Sequence, residues 1–146
     1  MKPVFMDTNI PIYAAGKDHK YKQPCAEVIM AMAKGEIRAV SSTEVLQEIL
    51  HRHCLTRERA KGLKMLHEFR DLLSDIFPVT IKEVNLAATL IEKHINIEAR
   101  DAIHIATMLT NDIKLICSTD KHFDSIPGIK RIDPGELIKS NLTRSR

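Results

Sequence analysis

The sequence predicts a three-layer α/β/α sandwich around a mostly parallel central sheet, and three observations carry that expectation. Short apolar runs suited to buried strands alternate along the chain with longer stretches of helical periodicity. Three of those runs, Val4-Phe5-Met6, Ile37-Arg38-Ala39-Val40 and Lys114 to Cys117, end in polar residues that can open a helix or line a rim. The length of 146 residues suits one domain with a single substantial core.

Taken in order, Val4-Phe5-Met6 reads as a strand delivering Asp7-Thr8-Asn9 at its tip, and Pro11 fits the first turn of the helix that follows. After a polar loop, Pro24 to Ala33 carries Cys25, Val28, Ile29 and Met32 at helical spacing and stops at Gly35. Ile37 to Val40 is a second strand, and Ser41, Ser42 or Thr43 offers an N-cap for a helix bearing Val45, Leu46, Ile49 and Leu50. A long amphipathic helix is expected from Thr56 through Leu63, Leu66, Phe69 and Leu73 to near Pro78, with a brief strand about Val79. Val84, Ala87, Ala88 and Ile91 form the apolar face of the next helix, and Arg100 to Leu109 is helical again after a connector. Lys114 to Cys117 is the third clear strand, Ile129 to Ile132 an edge strand, and Pro134 opens a short terminal helix. A single domain is expected over residues 1–138, ahead of a polar, basic tail over 139–146.

Composition narrows the function classes without naming one. The 44% hydrophobic and 28% charged content is that of an ordinary globular chain, and no window approaches the roughly 18 apolar residues of a membrane span. Asp7 interrupts the first apolar run, which argues against a secretory signal and for a cytoplasmic location. Cys25, Cys54 and Cys117 lack any C-x-x-C spacing and are read as reduced, buried thiols. The net charge of +3 is compatible with a polyanionic partner, while the absence of tryptophan leaves few stacking platforms for bases.

The chemistry resides in the acids. In an open parallel sheet the crevice lies beyond the carboxyl ends of the strands. Asp7 and Asp120 each close a strand, so neighbouring strands put both carboxylates on one rim, where repulsion calls for a hard cation. The second strand is followed by a helix with two candidate acids. Glu44 falls in its first turn, where the helix dipole alone favours an acid, whereas Glu48 borders the apolar face beside Leu46, Ile49 and Leu50 and is the better candidate. Asp101 opens its helix among Ala102, Ile103, Ile105 and Ala106; alone it reads as a dipole partner, and in company with the other acids as a ligand. Four such carboxylates suit magnesium or manganese and phosphodiester hydrolysis.

At this point the chain resembles the PIN-domain ribonucleases, in particular the VapC-like toxins of type II toxin–antitoxin systems. The resemblance runs from Phe5 to about Pro134 through MDTNI, VSSTEVLQEILHR, ARDAIHIA and LICSTDKHFDSIPGIKRIDP. It implies that Asp7, Glu48, Asp101 and Asp120 hold the metal, Mg2+ or Mn2+, and are catalytic, with Thr8, Asn9 and Thr119 as polar helpers. It also implies an RNA substrate, an antitoxin partner and a homodimer. Many members carry a further acid just before the phenylalanine matching Phe123; here His122 stands there and Asp124 follows. Asp124 is therefore either a water-mediated contact to the metal or a cap of the next turn.

Other residues have weaker claims. His51 and His53 are two apart on a helix and share no face, which disfavours zinc. His104, three residues after Asp101, either faces the crevice or packs under the sheet, and packing is favoured. Arg52, Arg100 and Lys121 are candidates for RNA phosphates, and Met30, Met32, Met65, Leu66 and Phe69 for core. Two other functions compete: a phosphotransfer domain with Asp7 or Asp120 as nucleophile, weakened because Asn9 stands where a second acid is needed, and a binding module without catalysis.

Overall fold

The computed structural model describes residues 1–144. Its strands are β1 (Val4–Met6), β2 (Ala39–Ser42), β3 (Asp75–Phe77), β4 (Leu115–Cys117) and β5 (Lys130–Ile132). They form one sheet in the order β3-β2-β1-β4-β5, and every neighbouring pair is parallel. The helices are α1 (Asn9–Ala15), α2 (Lys22–Ala33), α3 (Thr43–Leu55), α4 (Arg59–Leu72), α5 (Ile81–Lys93), α6 (Ala99–Thr110) and α7 (Pro134–Arg144), with a 3-10 turn over Lys121–Ser125. All residues of β1 and β2 are buried, as a parallel sheet covered on both faces requires.

The strand order positions the site. From β1 the chain moves outward to β2 and β3, then crosses back to β4 and β5 on the other side. The reversal falls between β1 and β4, so the crevice opens past Met6 and Cys117, which are register partners. Local sequence fixes the neighbouring ends. Gly35 takes a positive φ of 72° to end α2, and the Ser42 hydroxyl caps α3 by accepting from the Val45 N–H at 3.2 Å.

Several expectations change. The third strand in sequence, β3, ends at Phe77, before Pro78 and Val79, because α4 stops at Leu72 and leaves room for it. On α5 the buried positions are Glu83 and Ala87, while Val84 and Ile91 are 45% and 41% exposed and Ala88 is exposed too. The helix is apolar on two sides, and it packs through small residues, Ala87 against Ala102 and Ala106, so periodicity could not choose the inner face. Glu83 is kept on that side by a capping box, its Oε1 accepting from the Thr80 N–H at 3.0 Å and hydroxyl at 2.7 Å. Met32, Met65 and Phe69 are core, but Met30 is 55% exposed, because α2 turns Cys25, Val28, Ala31 and Met32 inward. Cys25 and Cys117 are buried and Cys54 is exposed. Residues 139–144 of the expected tail belong to α7; residues 145 and 146 lie outside the described residues. Among the described residues no helix is long and apolar enough to cross a membrane.

Candidate active site and metal centre

Asp7 is the most firmly held of the acids. It leaves β1 directly into the crevice, its N–H donating to the Cys117 carbonyl of the neighbouring strand at 3.1 Å. Its Oδ1 accepts from the Thr8 N–H at 2.8 Å, and its Oδ2 from the Ser118 hydroxyl at 2.6 Å and Asn9 Nδ2 at 3.1 Å. Burial pushes its carboxyl above the ordinary value; His104, Ser118 and Thr8 pull it back only in part, and Glu48 adds to the rise.

One turn into α3, Glu48 reaches the same crevice. Its Oε2 accepts from the Thr8 hydroxyl at 2.5 Å, and its Oε1 lies 3.2 Å from His104 Nε2. That second contact is electrostatic: Oε1 is buried without a hydrogen-bond donor. Burial raises the Glu48 carboxyl, but interaction with His104 and Thr8 outweighs it and holds the group below its usual range. His104 is fully buried, as expected of a packed histidine, yet it also faces the acids, with Nε2 3.8 Å from Asp7 Oδ1. The expectation of packing rather than facing the crevice is corrected on this point: α6 places the ring beneath Asp101 on the same face, at the i+3 position.

Asp101 and Asp120 close the other side. A cleft of about 380 Å³ is lined by all four carboxylates together with Thr8, Asn9, Arg52, Arg100 and His104. Asp101 is half-buried and its carboxyl is pushed up to about 6, by burial first and then by Asp120 and Asp7. Asp120 caps the 3-10 turn, its Oδ1 accepting from the His122 N–H at 2.9 Å. Ligand atoms of Asp101, Asp120 and His122 all lie within 4.8 Å of one another.

With this geometry in place, comparison with known proteins decides the family. The PIN domain model matches residues 4–129. The chain belongs to the PIN-domain family. Ribonuclease VapC13 of Mycobacterium tuberculosis is 33% identical over 129 residues, covering 88% of this chain and 98% of that relative. Two solved structures share the PIN fold at low identity. VapBC2 from Rickettsia felis, bound to a DNA fragment from its promoter, has a TM-score of 0.69 at 18% identity and covers 90% of this chain and 98% of its own. VapC20 of M. tuberculosis, a Sarcin-Ricin loop cleaving toxin, has a TM-score of 0.68 at 17% identity, with 86% and 96% covered.

A divalent cation fits the residues of this PIN domain. The donors are hard carboxylate oxygens, two of the acids are pushed upward by crowding and burial, and Glu48 Oε1 is a buried acceptor with no donor. Asp7, Glu48, Asp101 and Asp120 would hold the ion. Glu44 sits beside Glu48 outside the cleft lining, its carboxyl raised by burial and by Glu48. Thr119 contributes its backbone N–H, 3.5 Å from Asn9 Oδ1. Asp124 is engaged elsewhere: Arg131 donates to both its oxygens, at 2.8 and 3.3 Å. Lys121 does not line the cleft.

Sequence reasoning passed over Ser118 and Arg131. Ser118 is fully buried, donates to Asp7 and accepts from the Asp120 N–H at 3.0 Å, tying the two strand-end acids together. Arg131 donates to the Ser118 carbonyl at 2.9 Å and braces that turn. The missing signal was register: Met6 pairs with Cys117, so the residue opposite Asp7 is Ser118.

Proposed function

We propose that this chain is a divalent-metal-dependent endoribonuclease and the toxin of a toxin–antitoxin pair. The observation that carries the reading is the meeting of Asp7, Glu48, Asp101 and Asp120 in one cleft at the sheet's switch point, with Glu48 Oε1 buried and undonated. Its RNA specificity is supported by the relatives named ribonucleases. Bound there, Mg2+ or Mn2+ would neutralise phosphate charge and acidify a water. The chain's own contribution is orientation: Ser118, Thr8 and Asn9 fix the Asp7 carboxylate, and Thr8 and His104 fix Glu48. Arg52 and Arg100 line the cleft and would hold RNA phosphates, with Lys121 reaching flanking backbone. The three donors on Asp7 weigh against its acting as a phosphate-accepting nucleophile, because they restrict and weaken its lone pairs.

Two surfaces serve the partners of this reading. A groove between α1, α2 and α4, lined by Pro11, Ala14, Ile29, Met30, Met65 and Phe69, suits an apolar antitoxin segment, in keeping with similar folds solved as toxin–antitoxin complexes. The exposed positions 81, 84, 88 and 91 of α5 repeat at intervals of three, four and three residues, a self-complementary seam for a homodimer. The proposed setting is the cytoplasm.

Incubating labelled RNA with the purified protein tests the reading. Cleavage with Mg2+ or Mn2+, abolished by chelator and by Asp7→Asn, supports it. Failure of the folded, metal-loaded protein to cut any RNA, or unchanged cutting by Asp7→Asn, overturns it.

A further inference from the structure

Next to the cleft lies a second pocket that shares Asp101 with it and is lined by His122. His122 is the second residue of the 3-10 turn, with its backbone N–H bonded to Asp120 Oδ1 at 2.9 Å and its ring Nδ1 3.0 Å from the same oxygen. The ring is 74% exposed, so it can pivot about its tethered backbone. One ring nitrogen, one Asp101 oxygen and one Asp120 oxygen lie within 4.8 Å of one another. Ligands about 2.1 Å from an octahedral ion stand about 3 Å apart when adjacent and about 4.2 Å when opposite. Small side-chain rotations therefore convert the triad into a coordination set.

We propose that His122 is a nitrogen ligand of this cleft, which with Asp101 and Asp120 forms a mixed nitrogen–oxygen site selecting manganese-class ions over magnesium. The proposal rests on the reading that the carboxylates bind a divalent cation. Magnesium strongly prefers oxygen ligands, whereas imidazole suits the first-row transition ions. Replacing one oxygen donor with a ring nitrogen thus lowers the relative standing of magnesium. The competing role, a counter-charge for Asp120 alone, would make the histidine hinder the cation, and the two roles predict opposite effects of its removal.

The test uses the full chain stripped of metal and titrated with Mn2+, reading free ion by electron paramagnetic resonance and bound ion by spin-echo modulation from nitrogen. The wild type is expected to show imidazole nitrogen modulation. His122→Ala should lose it and bind Mn2+ at least about tenfold more weakly, with a smaller loss for Mg2+. His122→Asp should lose the modulation, retain Mn2+ binding and gain affinity for Mg2+. Modulation that persists in His122→Ala, or tighter Mn2+ binding by that variant, overturns the proposal. Mn2+ binding that depends on Asp120 but shows no nitrogen modulation in the wild type removes His122 and leaves the carboxylate site standing. Absence of any Mn2+ binding overturns both.

Discussion

Asp101→Asn should make the metal-free protein more stable. Burial, Asp120 and Asp7 push the Asp101 carboxyl from 3.8 to about 6. A displacement of that size is equivalent to about 3 kcal/mol at neutral pH. Because the group is only half-buried, solvent screening roughly halves this, to about 1.5 kcal/mol. The folded value lies above the unfolded one, so the folded state holds a proton that the unfolded chain releases first. Stability from this group is therefore lost as pH rises from about 4 to about 6. Asparagine has no proton to lose and keeps nearly the same shape. In chelator at pH 7 the variant should melt about 3–6 °C above the wild type by circular dichroism, using the usual dependence of Tm on stability for a chain of this size. At pH 4 the gap should nearly close. Added Mn2+ should stabilise the wild type more than the variant. A variant that melts at or below the wild type at pH 7 in chelator, or a gap of equal size at both pH values, would refute the account of crowded carboxylates.

Glu48→Gln should cost more than about tenfold in Mn2+ affinity and most RNA cleavage, while Glu44→Gln stays near normal; the reverse ranking in a titration would mean the wrong carboxylate of α3 was assigned. Ser118→Ala removes the donor to Asp7 and the acceptor for the Asp120 N–H, and should cost about 1–3 kcal/mol in denaturant unfolding at pH 7. An unchanged midpoint would show that the turn is held without it. Val84→Asp, placed on the exposed seam of α5, should reduce a dimer to the 16.6 kDa monomer by light scattering without lowering Tm. A dimer that survives this change forms elsewhere.

The parts of the fold legible in the sequence were those with a single physical cause. β1 and β4 are short apolar runs bounded by polar residues, and both appear where the pattern puts them, as does the capped start of α3. The same pattern failed on α5, where apolar residues occupy two faces and alanine, not isoleucine, meets α6. A helix with two apolar sides carries no information about which neighbour it will meet. Asp7 and Asp120 are proposed from strand ends, Glu48 from a helix face together with the family resemblance, and Asp101 mainly from the company of the other acids; the structure brings all four to one cleft. Their supports could not be picked, because Ser118 acts through pairing register and Arg131 through a contact across thirteen residues, neither of which leaves a local signature.

His104 shows how one position can satisfy both readings of a buried polar residue. Its ring packs 5.8 Å from Phe5 at the centre of the sheet, while Nε2 turns to Glu48 and Asp7. Those two acids pull its basicity upward against the burial that lowers it. A charged imidazole there would offset some of the repulsion that the four carboxylates create, and the fully buried Phe5 and Met6 of β1 hold the arrangement rigid. Repulsion in this cleft is thus contained by the sheet beneath it. Asp7 and Asp120 cannot move apart without disturbing the β1–β4 end at Ser118, so their repulsion is relieved by a proton, by the imidazole or by a cation from solution. On the proposed reading, the stability of the strand pair at the switch point and any affinity of the site for metal would follow from the same crowding of carboxylates.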